Sequence, residues 1–179
     1  MSLHRPLALI GYRATGKSTV GRSLATRLGA SFVDTDDRIE AAANRTIAEI
    51  FANDGESAFR TRETAALQAA VGDRGQVIST GGGIVISPVN RDLLAGCDVV
   101  WLTASPAVIA RRLERDSLTG TRRPSLTGRS VCDEVGAVLA QRLPLYEAVA
   151  DCTIETDTQT IAEIVDQVAV WLSHRERVS

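Results

Sequence analysis

The stretch LALIGYRATGKSTVG, residues 7–21, decides the fold. Leu7–Ile10 is a short apolar run ended by glycine, which reads as a strand buried on both faces and hence as part of a parallel sheet. Beyond the turn, Val20, Leu24 and Leu28 recur at helical spacing, and the helix closes at Gly29. Between strand and helix, Gly11, Gly16, Lys17 and Ser18 match the pattern G-x-x-x-x-G-K-[ST]. Backbone N–H groups of such a loop point inward and form an anion site at a helix N-terminus. Lys17 is the only lysine in the chain; every other basic residue is arginine. A compact ammonium fits inside a closed loop of backbone where a wide, flat guanidinium does not. Ser18 offers an oxygen to Mg²⁺, a hard cation. The motif points to a nucleoside triphosphate and leaves the reaction open.

The same alternation continues outward from this stretch. Ser31–Asp34, residues 76–80, residues 97–102 and residues 152–156 read as further strands. Between them lie helical patterns: TIAEIFANDG (46–55), a separate helix in ESAFRTRETAALQAAV (56–71), SPVNRDLLAG (87–96) and SPAVIARRL (105–113). The last two open on a Ser N-cap with proline at the first helical position. EVGAVLAQRLPLYEAVA (134–150) reads as helical with a break near Pro144, and TIAEIVDQVAVWLSH (160–174) as an amphipathic helix. Strand and helix alternating throughout predict an open α/β sheet of five parallel strands with helices on both faces. ERDSLTGTRRPSLTGRS (114–130) has no apolar period and reads as a lid loop. A chain of 179 residues fits one domain.

Hydrophobic content of 44% and charged content of 23% are those of a soluble globular protein. A net charge of −2 argues against nucleic acid or an anionic membrane as partner. No apolar run reaches the ~18 residues of a membrane span. The three cysteines, Cys97, Cys132 and Cys152, form no C-x-x-C pair, and free thiols suit a cytoplasmic protein. His4 and His174 stand near the chain ends, which disfavours histidine catalysis or a zinc site.

In open parallel sheets ligands sit beyond the carboxyl ends of the strands. The residues that follow the second and third strands therefore describe a second substrate. Asp34 and Asp36 are spaced so that one carboxylate can hold Mg²⁺ through water while the other takes a proton from a hydroxyl; a helix N-cap accounts for the group equally well, since Asp34, Thr35 and Asp36 all favour caps. Arg60 and Glu63, at i and i+3, are either a solvated ion pair or an arginine held to grip a carboxylate. Gly81–Gly83 cost chain entropy that a plain turn does not need, and suggest backbone packed directly against a ligand. Arg122, Arg123 and Arg129 of the lid could close over a phosphoryl group, and Arg142 precedes the proline.

These residues resemble the shikimate kinases. The likeness covers nearly the whole chain, through GYRATGKS (11–18), DTD (34–36), TIAEIF (46–51), GESAFRTRE (55–63), STGGG (79–83), RPSL (123–126) and RLPLYEAVAD (142–151). It implies a P-loop kinase of the nucleoside-monophosphate-kinase type, with a substrate-binding helical segment at about 35–62 and a lid at about 116–130. It implies Mg²⁺-dependent transfer of the ATP γ-phosphate to the 3-hydroxyl of shikimate, by a monomer. On that likeness Gly11, Ala14, Thr15, Gly16, Lys17, Ser18, Thr19, Arg112 and Arg123 would serve ATP, with Arg112 near adenine. Ser18, and Asp34 through water, would hold Mg²⁺. Lys17, Asp36 and the lid's Arg123 would be catalytic. Asp36, Phe51, Phe59, Arg60, Gly81, Gly82, Gly83 and Arg142 would bind shikimate, with Glu63 orienting Arg60. Two positions depart from the family pattern. Ala14 stands where glycine is usual, so φ < 0 is expected there, and Ser125 replaces a lid leucine. Two rivals remain: another small-molecule kinase of this fold, such as a gluconate kinase, and a nucleotide-binding module without catalysis.

Overall fold

A computed structural model describes residues 3–73, 75–115 and 131–175. The five strands are β1 (Leu7–Ile10), β2 (Ser31–Asp34), β3 (Gln76–Ser79), β4 (Asp98–Thr103) and β5 (Cys152–Glu155). They form one sheet in the order β2-β3-β1-β4-β5, every pair parallel. Leu7 lies opposite Val77 on one side and Asp98 on the other. β1 is central, and the chain order reverses on either side of it, so the loop after β1 opens into the crevice where such sheets bind ligands.

The helices are α1 (Lys17–Leu28), α2 (Thr35–Ala43), α3 (Ile47–Val71), α4 (Pro88–Leu94), α5 (Pro106–Arg115), α6 (Val131–Val149) and α7 (Ile161–Arg175), with a 3₁₀ turn at Ile84–Ile86. Alternate residues of each strand face opposite layers. Leu7 and Leu9 join Val20, Leu24 and Leu28 of α1 and Ile164, Val168 and Leu172 of α7 in one core. Ala8 and Ile10 join Leu67 of α3, Leu94 of α4 and Tyr146 of α6 in the other. Each fully buried leucine or isoleucine contributes about 1.5–3 kcal/mol. Both faces are therefore covered, as the unbroken apolar run of β1 required. Among the described residues no helix is long and apolar enough to cross a membrane.

Local signals set several helix ends. Thr46 and Glu49 form a reciprocal capping box at the start of α3, and Thr160 and Glu163 exchange the same bonds before α7. Ser87 caps α4 with Pro88 behind it.

One expectation about helices is met and one changes. Residues 47–71 are two helices joined at Gly55, whose φ of 80° and ψ of 175° are not helical, as the reading of separate helices over 46–55 and 56–71 expected. Asp54 beside the kink is held by Arg45 through two hydrogen bonds and by Arg62 at 3.5 Å. Helix α6 runs through Pro144 instead of breaking there. Proline removes one helical hydrogen bond, but Val135 and Tyr146, on opposite sides of it, are both wholly buried and hold the helix in place. The expected lid at about 116–130 lies outside the described residues, and with it Arg122, Arg123, Ser125 and Arg129.

Candidate active site

The loop after β1 closes on its own backbone. Thr15 Oγ1 and Lys17 Nζ both donate to the Tyr12 carbonyl, at 2.8 and 2.7 Å. Lys17 is 7% exposed. Its ammonium thus arches back over the loop, as a point charge on a flexible stem can. Gly16 is left-handed at the start of α1. Thr19 sits exposed on the first turn of α1.

Ala14 reverses its expectation. Its φ is +62°, not negative. The curl that turns successive N–H groups inward calls for left-handed residues in the loop, and the alanine adopts that conformation at a cost of roughly 1–2 kcal/mol. Arg112 braces it. Arg112 Nη1 donates to the Ala14 carbonyl at 3.3 Å and to Thr156 Oγ1 at 3.0 Å, and Nη2 donates to the Thr156 carbonyl at 2.5 Å. The residue expected near adenine therefore stands directly against the phosphate loop.

Asp34 serves two partners. It is the N-cap of α2, accepting from the Asp36 N–H at 3.0 Å through Oδ1. Its Oδ2 accepts from Ser18 Oγ at 2.7 Å. The cap and the metal-site readings of Asp34 are thus compatible in one side chain. Ser79 Oγ lies 3.2 Å from Ser18 Oγ. The group is all oxygen, and among the described residues no three His, Cys, Asp or Glu side chains form a metal cluster. Mg²⁺ suits such a place, because it keeps waters and takes one or two carboxylates plus phosphate oxygens rather than a protein cage.

The second half of the site is built around Arg60. Its Nη1 meets Glu63 Oε2 at 2.8 Å, and Glu63 is 0% exposed. Its Nε and Nη2 reach Glu56 Oε1 at 3.2 and 3.0 Å. Burial opposes the charge on Arg60, but Glu63 and Glu56 more than compensate, and its pKa stands above the ordinary arginine value. This is an oriented guanidinium, not a solvated surface pair.

The glycine triplet is buried, and protein atoms pack closely on Gly82 and Gly83. A Cβ on Gly83 would lie 2.5 Å from Arg60 Nη1, and one on Gly82 would lie 3.1 Å from the Arg13 backbone nitrogen. Gly82 and Gly83 thus admit the phosphate loop and Arg60. Gly81 N–H donates to Thr35 Oγ1 at 3.1 Å, and the Gly82 carbonyl accepts from Arg142 Nη1 at 2.9 Å. Phe51 is half-buried, its ring centroid 4.6 Å from that of Phe59. Phe59 is 0% exposed and lies under the Arg60 guanidinium at 5.3 Å, so it supports that arginine from the core.

Sequence reasoning missed Glu56, although it stands four residues before Arg60, where i, i+4 pairing signals it. Thr35, Ser79 and Tyr146 lie within the stretches DTD, STGGG and RLPLYEAVAD without a role read from them, and Thr156 carries no local signal; only chain crossing brings the four to the site.

Residues 13–173 match the family model described as shikimate kinase. The chain belongs to the shikimate kinase family. It is 47% identical to a shikimate kinase of Rhodopirellula baltica, across 90% of this chain and 87% of the relative. It is 40% identical to one of Symbiobacterium thermophilum, across 94% and 97%. The solved shikimate kinase from Acinetobacter baumannii in complex with shikimate superposes with a TM-score of 0.88 at 35% identity, covering 95% of this chain and 94% of that one. A gluconokinase from Sinorhizobium meliloti shares the fold alone, with a TM-score of 0.65 at 19% identity. Membership of this family makes the chain an ATP-dependent kinase and removes the non-catalytic module as a reading.

Proposed function

We propose that this chain transfers the γ-phosphate of ATP to the 3-hydroxyl of shikimate. The bond from the γ-phosphorus to its bridging oxygen breaks, a bond to the 3-oxygen forms, and the products are ADP and shikimate 3-phosphate. One observation carries the choice of acceptor. Arg60 and Arg142, from two different helices, meet on consecutive residues of the glycine triplet beside the phosphate loop. Two guanidiniums at one place suit a carboxylate, which arginine binds in bidentate fashion.

Lys17 and the N–H groups of the loop bind the β and γ phosphates and are already arranged for the charge that develops there. Ser18 and Asp34 would hold Mg²⁺, which when bound neutralises phosphate charge. Asp36, fixed by its backbone bond to Asp34, orients the acceptor hydroxyl and receives its proton. Arg60 and Arg142 hold the carboxylate at the other end of the ring, so that the hydroxyl faces the phosphate. Phe51 supplies an apolar wall. The three free cysteines suit a reducing cytoplasm.

An ADP-release assay with shikimate, with gluconate and with no acceptor tests the reading. Turnover is expected with shikimate alone. Turnover with gluconate but not shikimate overturns it.

A further inference from the structure

Tyr146 lies outside every role assigned above, yet it is wholly buried and stacked on Trp101, with ring centroids 5.5 Å apart and an interplanar angle of 13°. Its hydroxyl donates to the Gly82 carbonyl at 2.6 Å. Arg142, one helical turn earlier on α6, donates to the same oxygen at 2.9 Å. One carbonyl thus joins a sealed aromatic core to an arginine of the site. The neighbouring Gly83 is the residue against which Arg60 packs.

We propose that Tyr146 is a positioning residue that sets the place of the Arg142 guanidinium through the Gly82 carbonyl. This rests on the reading of Arg142 as a carboxylate grip. A carbonyl oxygen has two lone pairs, and the tyrosine takes one of them from a direction fixed by the Trp101 stack. The peptide plane of Gly82 is then locked. A glycine peptide has unusual freedom to turn, and the hydroxyl removes that freedom at the point where Arg142 is anchored. Without the hydroxyl the plane turns and Arg142 loses its fixed place, while the phosphate loop and Asp36 keep theirs.

Tyr146→Phe keeps the ring and its stack. The expected result is a KM for shikimate raised about 3- to 10-fold, the scale of one net hydrogen bond, with kcat and the KM for ATP within twofold of wild type. In an Arg142→Ala background the same substitution should add nothing. The methyl ester of shikimate, which lacks the charge that Arg142 meets, should bind the wild type and the variant equally. Tryptophan emission and a thermal melt read whether the stack survives. If the variant does not fold at the assay temperature, the comparison of acid and ester at a lower temperature decides the matter. An unchanged KM for shikimate, an equal loss for acid and ester, or full additivity with Arg142→Ala would overturn the proposal and leave the kinase reading standing. No turnover of shikimate by the wild type would overturn both.

Discussion

Ser18 Oγ donates to Asp34 Oδ2 at 2.7 Å, so the first turn behind the phosphate loop is tied to the end of β2. The same carboxylate caps α2 and holds the backbone of Asp36. One side chain therefore ties the start of α1 to the start of α2. Asparagine caps a helix as well as aspartate does but carries no charge. Asp34→Asn should raise the Mg²⁺ concentration needed for half-maximal rate while leaving the KM for shikimate little changed. Asp34→Ala should also lose the cap, at about 1 kcal/mol of stability. Magnesium titrations and thermal melts of both variants check this; an unaltered magnesium requirement in Asp34→Asn would count against the metal role.

Asp36→Asn should lower kcat by more than about 100-fold while shikimate still binds, the scale of a positioned acid–base group. Single-turnover rates and a shikimate titration separate the two effects. A loss of only a few-fold would leave Asp36 a binding residue.

Arg60 is charged, half-covered and gripped by two carboxylates. Arg60→Ala should raise the KM for shikimate about 10- to 100-fold, the scale of a hydrogen-bonded charge pair, and the KM for ATP far less. Equal effects on the two would contradict a carboxylate grip.

Lys17→Arg should be as damaging as Lys17→Ala. The ammonium reaches the Tyr12 carbonyl inside a loop that leaves it 7% exposed, and a planar guanidinium needs a wider space. Near-normal kcat in Lys17→Arg would sink the steric argument.

Ala14→Gly should stabilise the protein. Relief of the left-handed alanine is worth roughly 1–2 kcal/mol, partly offset by the entropy of glycine at about 0.5–1 kcal/mol. A rise in Tm of about 1–4 °C is expected at this chain length. A fall would show that the loop bears no strain at this position.

Cys97 gives a pH dependence. Burial pushes its thiol up to about 11, with Arg5 opposing and Asp98 and Asp151 adding to the shift. In the unfolded chain the thiol titrates near its ordinary value of 9.0. Between these values the unfolded state loses a proton that the folded state keeps, so stability falls as pH rises from about 9 to about 11. Denaturant midpoints measured across that window should fall less steeply in Cys97→Ala. Native labelling should reach the exposed Cys132 first and Cys97 last.

The order of elements, the parallel sheet and the phosphate loop were legible because each depends on residues adjacent in the chain. An apolar run, a glycine turn and a 3.6-residue repeat are local facts. Gly55 was legible too, because only glycine readily takes the non-helical φ of 80° that separates the two helices. Pro144 misled, because a helix continues through proline when buried residues on both sides of it hold the helix in place. Ala14 misled because the preference of the residue for φ < 0 was weighed without the loop around it, which dictates the opposite sign.

The amino-acid sequence by itself determined the fold, the lysine and serine of the loop after β1, and the set of arginines and carboxylates proposed for the acceptor site. These follow from pattern and spacing, which need no knowledge of distant neighbours. Only the tertiary structure decided what each member of that set touches: Arg112 bracing Ala14, Glu56 and Glu63 sharing Arg60, Arg142 and Tyr146 sharing one carbonyl of Gly82. Parallel strands bring their carboxyl ends together from far apart in the chain, and hydrogen bonds and charge act over a few ångströms, so those partnerships exist only once the sheet has formed.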